Sequence, residues 1–355
     1  MKLLVTGGGT GGHLYPGVAI AQELLSRGGH EVLYAGSPNG IEARVLPALG
    51  MDFAPISSGG IVGKGLAGKV RGVLSVVKGF GEASALLRRF KPDATIGVGG
   101  YVSFPVVAWS ALTGVPSAIQ EQNAKAGLAN RVLGKMVRRV FLGDEGAKGE
   151  FPKGKAVMTG NPLRAAFSAP KPYETPGELP VRILVLGGSQ GARSLNTKVP
   201  EAMKAIGGMV EVVHQCGKGN FDEVGARYAD MERVQVVEFI EEMDAAYGRA
   251  QIVIARAGAL TVAELAASGR PALLIPFPYA AGNHQEANAR SAEARGAALC
   301  LTEDALTSES IKNVIESWIK DPAGLSAMAD AAALSANTRA AADIVDNLLA
   351  LIGEE

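Results

Sequence analysis

The sequence predicts an α/β protein made of two nucleotide-type domains, each a doubly wound parallel sheet. Three observations carry that expectation. An apolar β-like run that breaks into a glycine-rich loop and then a helical stretch occurs twice. Short apolar runs alternate with amphipathic stretches along the whole chain, the pattern of parallel βαβ units rather than of a sandwich or bundle. A proline-rich interruption separates the two halves, and 355 residues suffice for two domains, each with its own core.

The first run, Lys2-Leu-Leu-Val-Thr6, enters Gly7-Gly8-Gly9-Thr10-Gly11-Gly12-His13, and Pro16 sits where a helix could begin. Further strands are expected near 31–35, 94–98 and 116–119. The charge-free stretch 94–119 is long enough to span a membrane, but Gly97, Gly99, Gly100, Pro105, Gly114 and Pro116 punctuate it. It reads as strand, glycine loop, helix and strand. The second run, Arg182-Ile-Leu-Val-Leu186, enters Gly187-Gly188-Ser189-Gln190-Gly191, and strands follow near 211–215, 234–237, 252–255, 272–276 and 298–301. Between the halves, 168–180 carries Pro170, Pro172, Pro176, Gly177 and Pro180, which suits a connection. The expected domains are 1–163 and 164–335. The alanine-rich stretch 330–351 reads as helix.

Lysine plus arginine and aspartate plus glutamate number 35 each, so no global charge argues for a nucleic-acid partner. Cys216 and Cys300 are too few for a disulfide framework and fit a reducing cytosol. The first strand begins within ten residues of Met1, so no signal peptide is expected. The four histidines, at 13, 30, 214 and 284, lack metal-site spacing, and neither a metal nor an organic cofactor is expected.

Gly7, Gly9 and Gly12 fit the spacing of a dinucleotide loop, yet Gly36, Ser37, Pro38 and Asn39 follow the second strand where an acid would hold the ribose, which disfavours NAD. The stretch 149–155 has P-loop spacing, but Ala156 stands where a hydroxyl would bind magnesium. Gly187 to Gly191 matches the nucleophile elbow of serine hydrolases, with Ser189 as nucleophile and His214 or His284 as partner; a phosphate-contacting loop is the favoured alternative. His13 directly follows the first glycine loop, and an imidazole with an ordinary pKa near ~6.5 suits a proton acceptor. In the segment bounded by Ile61 and Lys91, Lys64, Lys69, Arg71, Lys78, Arg88, Arg89 and Lys91 face one acid, Glu82. Apolar residues recur there at helical spacing, as in a membrane-docking face or a core-facing helix with a solvated basic side.

Several segments occur together in order: Gly7 to His13, Gly97-Val-Gly-Gly-Tyr101-Val-Ser-Phe-Pro105, Glu121-Gln-Asn123, Gly160-Asn-Pro-Leu-Arg164, Gly187 to Gly191, Arg256-Ala-Gly-Ala-Leu-Thr-Val-Ala-Glu264 and His284-Gln285. With them the chain resembles the MurG family of peptidoglycan N-acetylglucosaminyltransferases, glycosyltransferase family 28, over nearly its whole length. One departure is Gln120, where the family commonly has histidine.

The resemblance implies a GT-B fold, two Rossmann-like lobes facing a cleft, with a C-terminal helix at about 336–355 returning to the N-terminal lobe. It implies an inverting, metal-independent hexosyltransferase. N-acetylglucosamine would move from UDP-N-acetylglucosamine to the 4-hydroxyl of MurNAc on undecaprenyl-pyrophosphoryl-MurNAc-pentapeptide (lipid I), giving lipid II for the cell wall. By that resemblance Ser189 contacts the donor phosphates, and the Ile240 backbone and Arg164 lie near uracil. Glu264 holds the ribose hydroxyls, and Ala259, Leu260, Thr261 and Val262 line the phosphate and ribose site. Gln285 and Asn123 contact the transferred sugar, and Thr10, Gly11 and Gly12 close on it. His13 becomes the leading base, with Glu121 a second candidate whose structural reading is favoured. The implied location is the cytoplasmic side of the bacterial inner membrane, peripherally bound, with 61–91 as the docking face on anionic lipid and other cell-wall synthesis proteins as partners. The rival readings are a non-hydrolysing UDP-N-acetylglucosamine 2-epimerase and a non-catalytic UDP-sugar-binding subunit.

Overall fold

The computed structural model describes residues 1–57, 66–169 and 171–353, and side chains are described outside 66–74. The chain divides into two compact units. One comprises Met1–Ala165 with Asn337–Glu355, and the other Ala166–Ala336.

In the first unit the strands are β1 (Lys2–Thr6), β2 (Glu31–Gly36), β3 (Phe53–Pro55), β4 (Ala94–Gly97), β5 (Ser117–Glu121), β6 (Arg139–Leu142) and β7 (Ala156–Met158). The helices are α1 (Gly11–Ser26), α2 (Glu42–Ala48), α3 (Leu66–Phe90), α4 (Ser103–Leu112) and α5 (Leu128–Met136). All neighbouring strands run parallel, in the order β3-β2-β1-β4-β5-β6-β7. The charge-free stretch 94–119 forms β4, a glycine loop, α4 and the start of β5, and no described helix is long and apolar enough to cross a membrane.

The second unit repeats the plan with β8 (Val181–Leu186), β9 (Val210–Gln215), β10 (Val234–Val237), β11 (Ile252–Ala255), β12 (Ala272–Leu274) and β13 (Ala298–Cys300). Its parallel order is β10-β9-β8-β11-β12-β13. Helices α6 (Arg193–Ile206), α7 (Phe221–Arg227), α8 (Met243–Arg249), α9 (Ala259–Ser268), α10 (His284–Ala294), α11 (Ser308–Lys320) and α12 (Pro322–Leu334) flank it. The last helix, α13 (Ala340–Ile352), belongs to the first unit.

Both sheets therefore reverse strand order, between β1 and β4 and between β8 and β11. Loops that leave the carboxyl ends of two such strands diverge to opposite faces and open a crevice, the general binding position of doubly wound sheets. The segments 7–13, 97–105, 187–191 and 256–264 leave these ends, while 121–123 leaves β5 and 160–164 follows β7.

The core explains the return of α13. Ile344, Val345 and Leu348 are fully buried in the same cluster as Leu14, Val18, Leu3, Val5 and Ile96, so α13 and α1 together cover one face of the first sheet. Arg27 ties the pair at the surface, donating to Asp346 Oδ1 at 2.5 Å and to the Ala342 carbonyl at 3.3 Å. On the opposite face Ala83, Leu86 and Leu87 of α3 pack with Val102, Val106, Leu4 and Ala54.

Two expectations are corrected. Pro16 lies five residues inside α1, which starts at Gly11 after an extended Thr10. The stretch 330–351 is two helices in two units. Alpha-12 ends at Leu334, and the break is held by Asn337, whose Nδ2 donates to the Thr159 carbonyl at 2.9 Å and to Asp343 Oδ2 at 2.8 Å.

Candidate functional site

In the first unit three loops meet at the strand ends. Gly7, Gly8 and Gly9 leave β1, with Gly8 at φ +149 and Gly9 at φ +88, conformations that L side chains rarely adopt. Gly7 N–H donates to the Ala35 carbonyl and Gly8 N–H to the Gly99 carbonyl, both at 3.3 Å. A β-carbon at Gly100 would lie 2.4 Å from the Gly8 carbonyl oxygen, so the loop after β4 fits beneath the loop after β1 only as glycine. Thr10 caps α1 through its backbone, its carbonyl accepting from His13 N–H at 3.1 Å and Leu14 N–H at 3.0 Å. Thr10 and Gly12 are exposed, and Gly11 and His13 half-buried. The His13 ring lies on Gly99, with Nδ1 3.4 Å from Thr10 Oγ1.

The third loop follows β5. Both oxygens of Glu121 are engaged. Oε1 accepts from Asn123 N–H and Asn123 Nδ2 at 3.0 Å each, and Oε2 from Gly127 N–H at 3.0 Å and Asn130 Nδ2 at 2.8 Å. A carboxylate buried to 1 % exposure with four N–H donors organises its loop and fixes Asn123, which favours the structural reading over that of a base. Gln120 is fully buried in a polar network: its Nε2 donates to Asn161 Oδ1 at 2.8 Å, its Oε1 accepts from Gln122 Nε2, and Asn161 Nδ2 donates to the Gln122 carbonyl at 3.0 Å. Arg164 belongs to this first unit, its guanidinium 5.4 Å from the centre of the Tyr15 ring on α1. The boundary of the first unit thus falls two residues beyond the expected 1–163.

In the second unit Ser189 is exposed on the loop between β8 and α6, its carbonyl accepting from Lys218 N–H at 3.2 Å. Gly188 and Gly191 have φ near +80 and +77, and a β-carbon at Gly191 would lie 2.3 Å from the Cys216 carbonyl oxygen. The hydrolase reading with His214 as partner fails. Its ring is fully buried, with Nδ1 3.0 Å from the Tyr228 hydroxyl and Nε2 3.2 Å from Asn196 Oδ1. Burial lowers its pKa to about 4, so it is a neutral structural group. Asn196 Nδ2 donates to the Cys216 carbonyl at 2.9 Å, the oxygen on which Gly191 packs, which connects this histidine to the 187–191 loop.

Helix α9 starts at Ala259 after an extended Gly258, with no side-chain cap and no acid in its first turn. Its first hydrogen bond of helical spacing runs from Val262 N–H to the Gly258 carbonyl at 2.9 Å, so the N–H groups of Ala259, Leu260 and Thr261 stand ahead of the ladder where an anion is favoured. Glu264 is half-buried on the same helix, one oxygen accepting from the Tyr247 hydroxyl at 3.2 Å. Gln285 is the second residue of α10, and its Oε1 accepts from Phe277 N–H at 3.0 Å. Ile240 is half-buried just beyond β10. The strand ends thus bring Ile240, Ser189, the α9 turn and Gln285 to one edge of the sheet. Among the described residues no group of three or more His, Cys, Asp or Glu side chains is placed to hold a metal ion.

Three contributors escape sequence reasoning. Glu42 lies under the first glycine loop, and Tyr15 carries Arg164. Arg256 ties the second site together: it reaches Glu303 Oε2 at 2.6 Å, Ser194 Oγ at 2.8 Å and the Ile275 and Pro276 carbonyls at 3.2 Å. The crowding of Gly36 and Gly40 around Glu42 was a signal, though one read only once the contact is known.

Residues 3–142 match the glycosyltransferase family 28 N-terminal domain and 182–348 the family 28 C-terminal domain. The UDP-N-acetylglucosamine--N-acetylmuramyl-(pentapeptide) pyrophosphoryl-undecaprenol N-acetylglucosamine transferase of Myxococcus xanthus is 40% identical over 98% of this chain and 92% of its own. That of Syntrophotalea carbinolica is 42% identical over 97% of this chain and 96% of its own. The crystal structure of Acinetobacter baumannii MurG superposes with a TM-score of 0.81 at 32% identity, covering 98% of this chain and 99% of that one. A UDP-GlcNAc 2-epimerase from Neisseria meningitidis, 14% identical with a TM-score of 0.69, shares the fold alone. With both family domains matched in order and relatives of this identity over nearly its full length, the chain belongs to glycosyltransferase family 28, within its MurG group of pyrophosphoryl-undecaprenol N-acetylglucosamine transferases.

Proposed function

We propose a division of labour between the two units in the reaction of this family, the transfer of N-acetylglucosamine from UDP-N-acetylglucosamine to lipid I that gives lipid II. The second unit holds the donor. Its diphosphate is received by the first-turn N–H groups of α9 and by Ser189, its ribose by Glu264, its uracil beside Ile240, and its sugar by Gln285. Breaking the bond between the anomeric carbon and the diphosphate leaves the electron pair on UDP, and oriented N–H groups at a helix start stabilise that charge without reorganising.

The first unit supplies the base and holds the acceptor. The acceptor 4-hydroxyl oxygen bonds to the anomeric carbon from the side opposite UDP, inverting it, and the hydroxyl proton passes to His13 directly or through a water. One observation carries this reading: His13 stands in the first turn of α1 against Gly99, where two glycine loops leave the strand-order reversal. Thr10, Gly11, Gly12 and Asn123 lie along the same edge and contact the sugar. Arg164, held on Tyr15 near the end of the first unit, lies near the uracil.

The segment 61–91 is the docking face for anionic lipid, where the acceptor resides. Its residues 61–65, with Lys64, lie outside the described residues, as do the side chains of Lys69 and Arg71. On the described part of α3, Val77 is 63% exposed and the Lys78 side chain 69% exposed.

The test incubates purified protein and labelled UDP-N-acetylglucosamine with and without a soluble-chain lipid I analogue, in EDTA, following sugar transfer and UDP release. Transfer only with acceptor, reduced roughly 10²–10⁴-fold in His13→Ala with donor affinity kept, is the expected result. Donor turnover without acceptor would sink the assignment in favour of an epimerase.

A further inference from the structure

Beneath the first glycine loop lies an acid for which the reaction as described has no use. Glu42, the first residue of α2, is fully buried. Its Oε2 accepts from Gly9 N–H at 3.0 Å and its Oε1 from Ser37 N–H at 2.8 Å, so one carboxylate joins the loops after β1 and β2.

The surrounding backbone is shaped to admit it. A β-carbon at Gly8 would fall 2.3 Å from the Glu42 Cδ, one at Gly40 2.4 Å from the same atom, and one at Gly36 2.5 Å from Cγ. Three glycines from three loop positions thus sheathe one side chain, and none could carry a methyl group without displacing it. The phenol of buried Tyr34 sits close enough that the carboxylate, added to burial, raises its pKa.

The consequence passes to His13. With Gly9 N–H drawn inward by Glu42 and the Gly8 peptide pressed against Gly99 and Gly100 on its other side, the loop is clamped from both directions. It then delivers Thr10, whose carbonyl receives His13 N–H at 3.1 Å and whose hydroxyl lies 3.4 Å from the His13 ring. We propose that Glu42 is a positioning residue for the transfer. By accepting from Gly9 and Ser37 it fixes the β1–α1 loop and thereby aims the imidazole of His13. The proposal rests on the assignment of His13 as base.

A glutamine at 42 keeps the shape but has one acceptor oxygen for two N–H donors and turns an NH₂ toward one of them. The experiment is a double-mutant cycle of Glu42→Gln and His13→Ala in the full chain, reading kcat with saturating donor and lipid I analogue and, separately, the UDP-N-acetylglucosamine dissociation constant. Glu42→Gln is expected to lower kcat roughly 10–100-fold, the scale of a small misplacement of a reacting group. Donor affinity should stay within about twofold, and in the His13→Ala background the same change should cost less than about threefold, because the ring it aims is gone.

Equal losses in both backgrounds would overturn the proposal while leaving His13 as base. A wild-type kcat in His13→Ala would overturn the base assignment and this proposal with it, and an unaltered kcat in a folded Glu42→Gln protein would overturn the proposal alone. Should that variant not fold, glycine-selective ¹⁵N labelling of the wild-type chain decides. The Gly9 amide is expected to exchange slowly with solvent, and exchange as fast as that of exposed Gly12 would remove the clamp on which the argument stands.

Discussion

His13 and Gly99 pack so closely that a β-carbon on residue 99 would lie 2.5 Å from Cδ2 of the imidazole and 3.0 Å from Nε2. The imidazole of one βα loop therefore rests on the bare backbone of the other. Gly99 also has φ +97, so both the side-chain contact and the backbone conformation demand glycine.

Gly99→Ala should push the imidazole aside or unseat the loop. We expect kcat to fall roughly 10²-fold, as for displacements of about an ångström at a reacting centre. The strained backbone should cost about 1–3 kcal/mol of stability. Donor affinity, which the proposed division of labour assigns to the second unit, should hold. Steady-state kinetics beside equilibrium binding checks this; a folded variant with full kcat would show that the ring's position is not needed.

Glu264→Gln tests the donor site. A charge-assisted hydrogen bond to a ribose hydroxyl contributes about 1.5–3 kcal/mol, so UDP-N-acetylglucosamine affinity should fall roughly 10–100-fold. The Tyr247 hydroxyl at 3.2 Å can still donate to the amide oxygen and hold the side chain in place. The sharper readout is discrimination. The wild type should prefer the ribose donor over its 2′-deoxy analogue, and the variant should lose that preference; equal preference in both would remove Glu264 from the ribose.

The strands with long apolar runs were legible because β1, β4, β8 and β11 are buried on both faces and their sequences say so. Beta-3, β6 and β7 were not. Beta-3 is three residues ending in Pro55 at a sheet edge, β7 is three residues at the opposite edge, and β6 opens on Arg139 after Arg138. Their pairing comes from the sheet beside them rather than from local preference. At the candidate site the glycines were legible because backbone demands restrict residue type. Glu42 and Arg256 were not, because each acts through contacts with residues distant in sequence. The break between α12 and α13 escaped for the same reason, since Asn337 is held from Thr159, across the sequence.

Charge reversal on α3 tests membrane docking. Its one acid, Glu82, is engaged by Ser57, accepting from the Ser57 hydroxyl at 2.9 Å and from its N–H, with Lys78 3.6 Å away. The helix's basic character is therefore weakly balanced. Combining Lys69→Glu, Arg71→Glu and Lys78→Glu should weaken binding to phosphatidylglycerol vesicles roughly 10²-fold or more, at about 1 kcal/mol for each cation removed. The buried face of Ala83, Leu86 and Leu87 is untouched, so the fold should stand. Co-sedimentation at low and high salt is the measurement; unaltered binding by the folded triple variant would reject 61–91 as the docking face.

His214 predicts how the second unit responds to acid. Burial lowers its pKa to about 4, below the ordinary value near ~6.5, so the unfolded chain binds more protons between those values. The stabilisation is whole above about pH 6.5 and declines as the pH falls to about 4, by roughly 3 kcal/mol in all. Other carboxylates titrate in the same window, so the comparison must be internal. A glutamine at 214 can accept from Tyr228 and donate to Asn196 without gaining a charge, and His214→Gln should lose less stability than the wild type between pH 7 and 4.5 in urea unfolding. The imidazolium has no acceptor nitrogen for the Tyr228 hydroxyl, which now lies 3.0 Å from Nδ1. Protonation therefore makes the hydroxyl the acceptor and places a charge on the buried ring beside Asn196, which holds the Cys216 carbonyl beside Gly191. Donor affinity should weaken on the acid side in the wild type and less in the variant, and parallel pH profiles for the two proteins would detach His214 from the glycine loops.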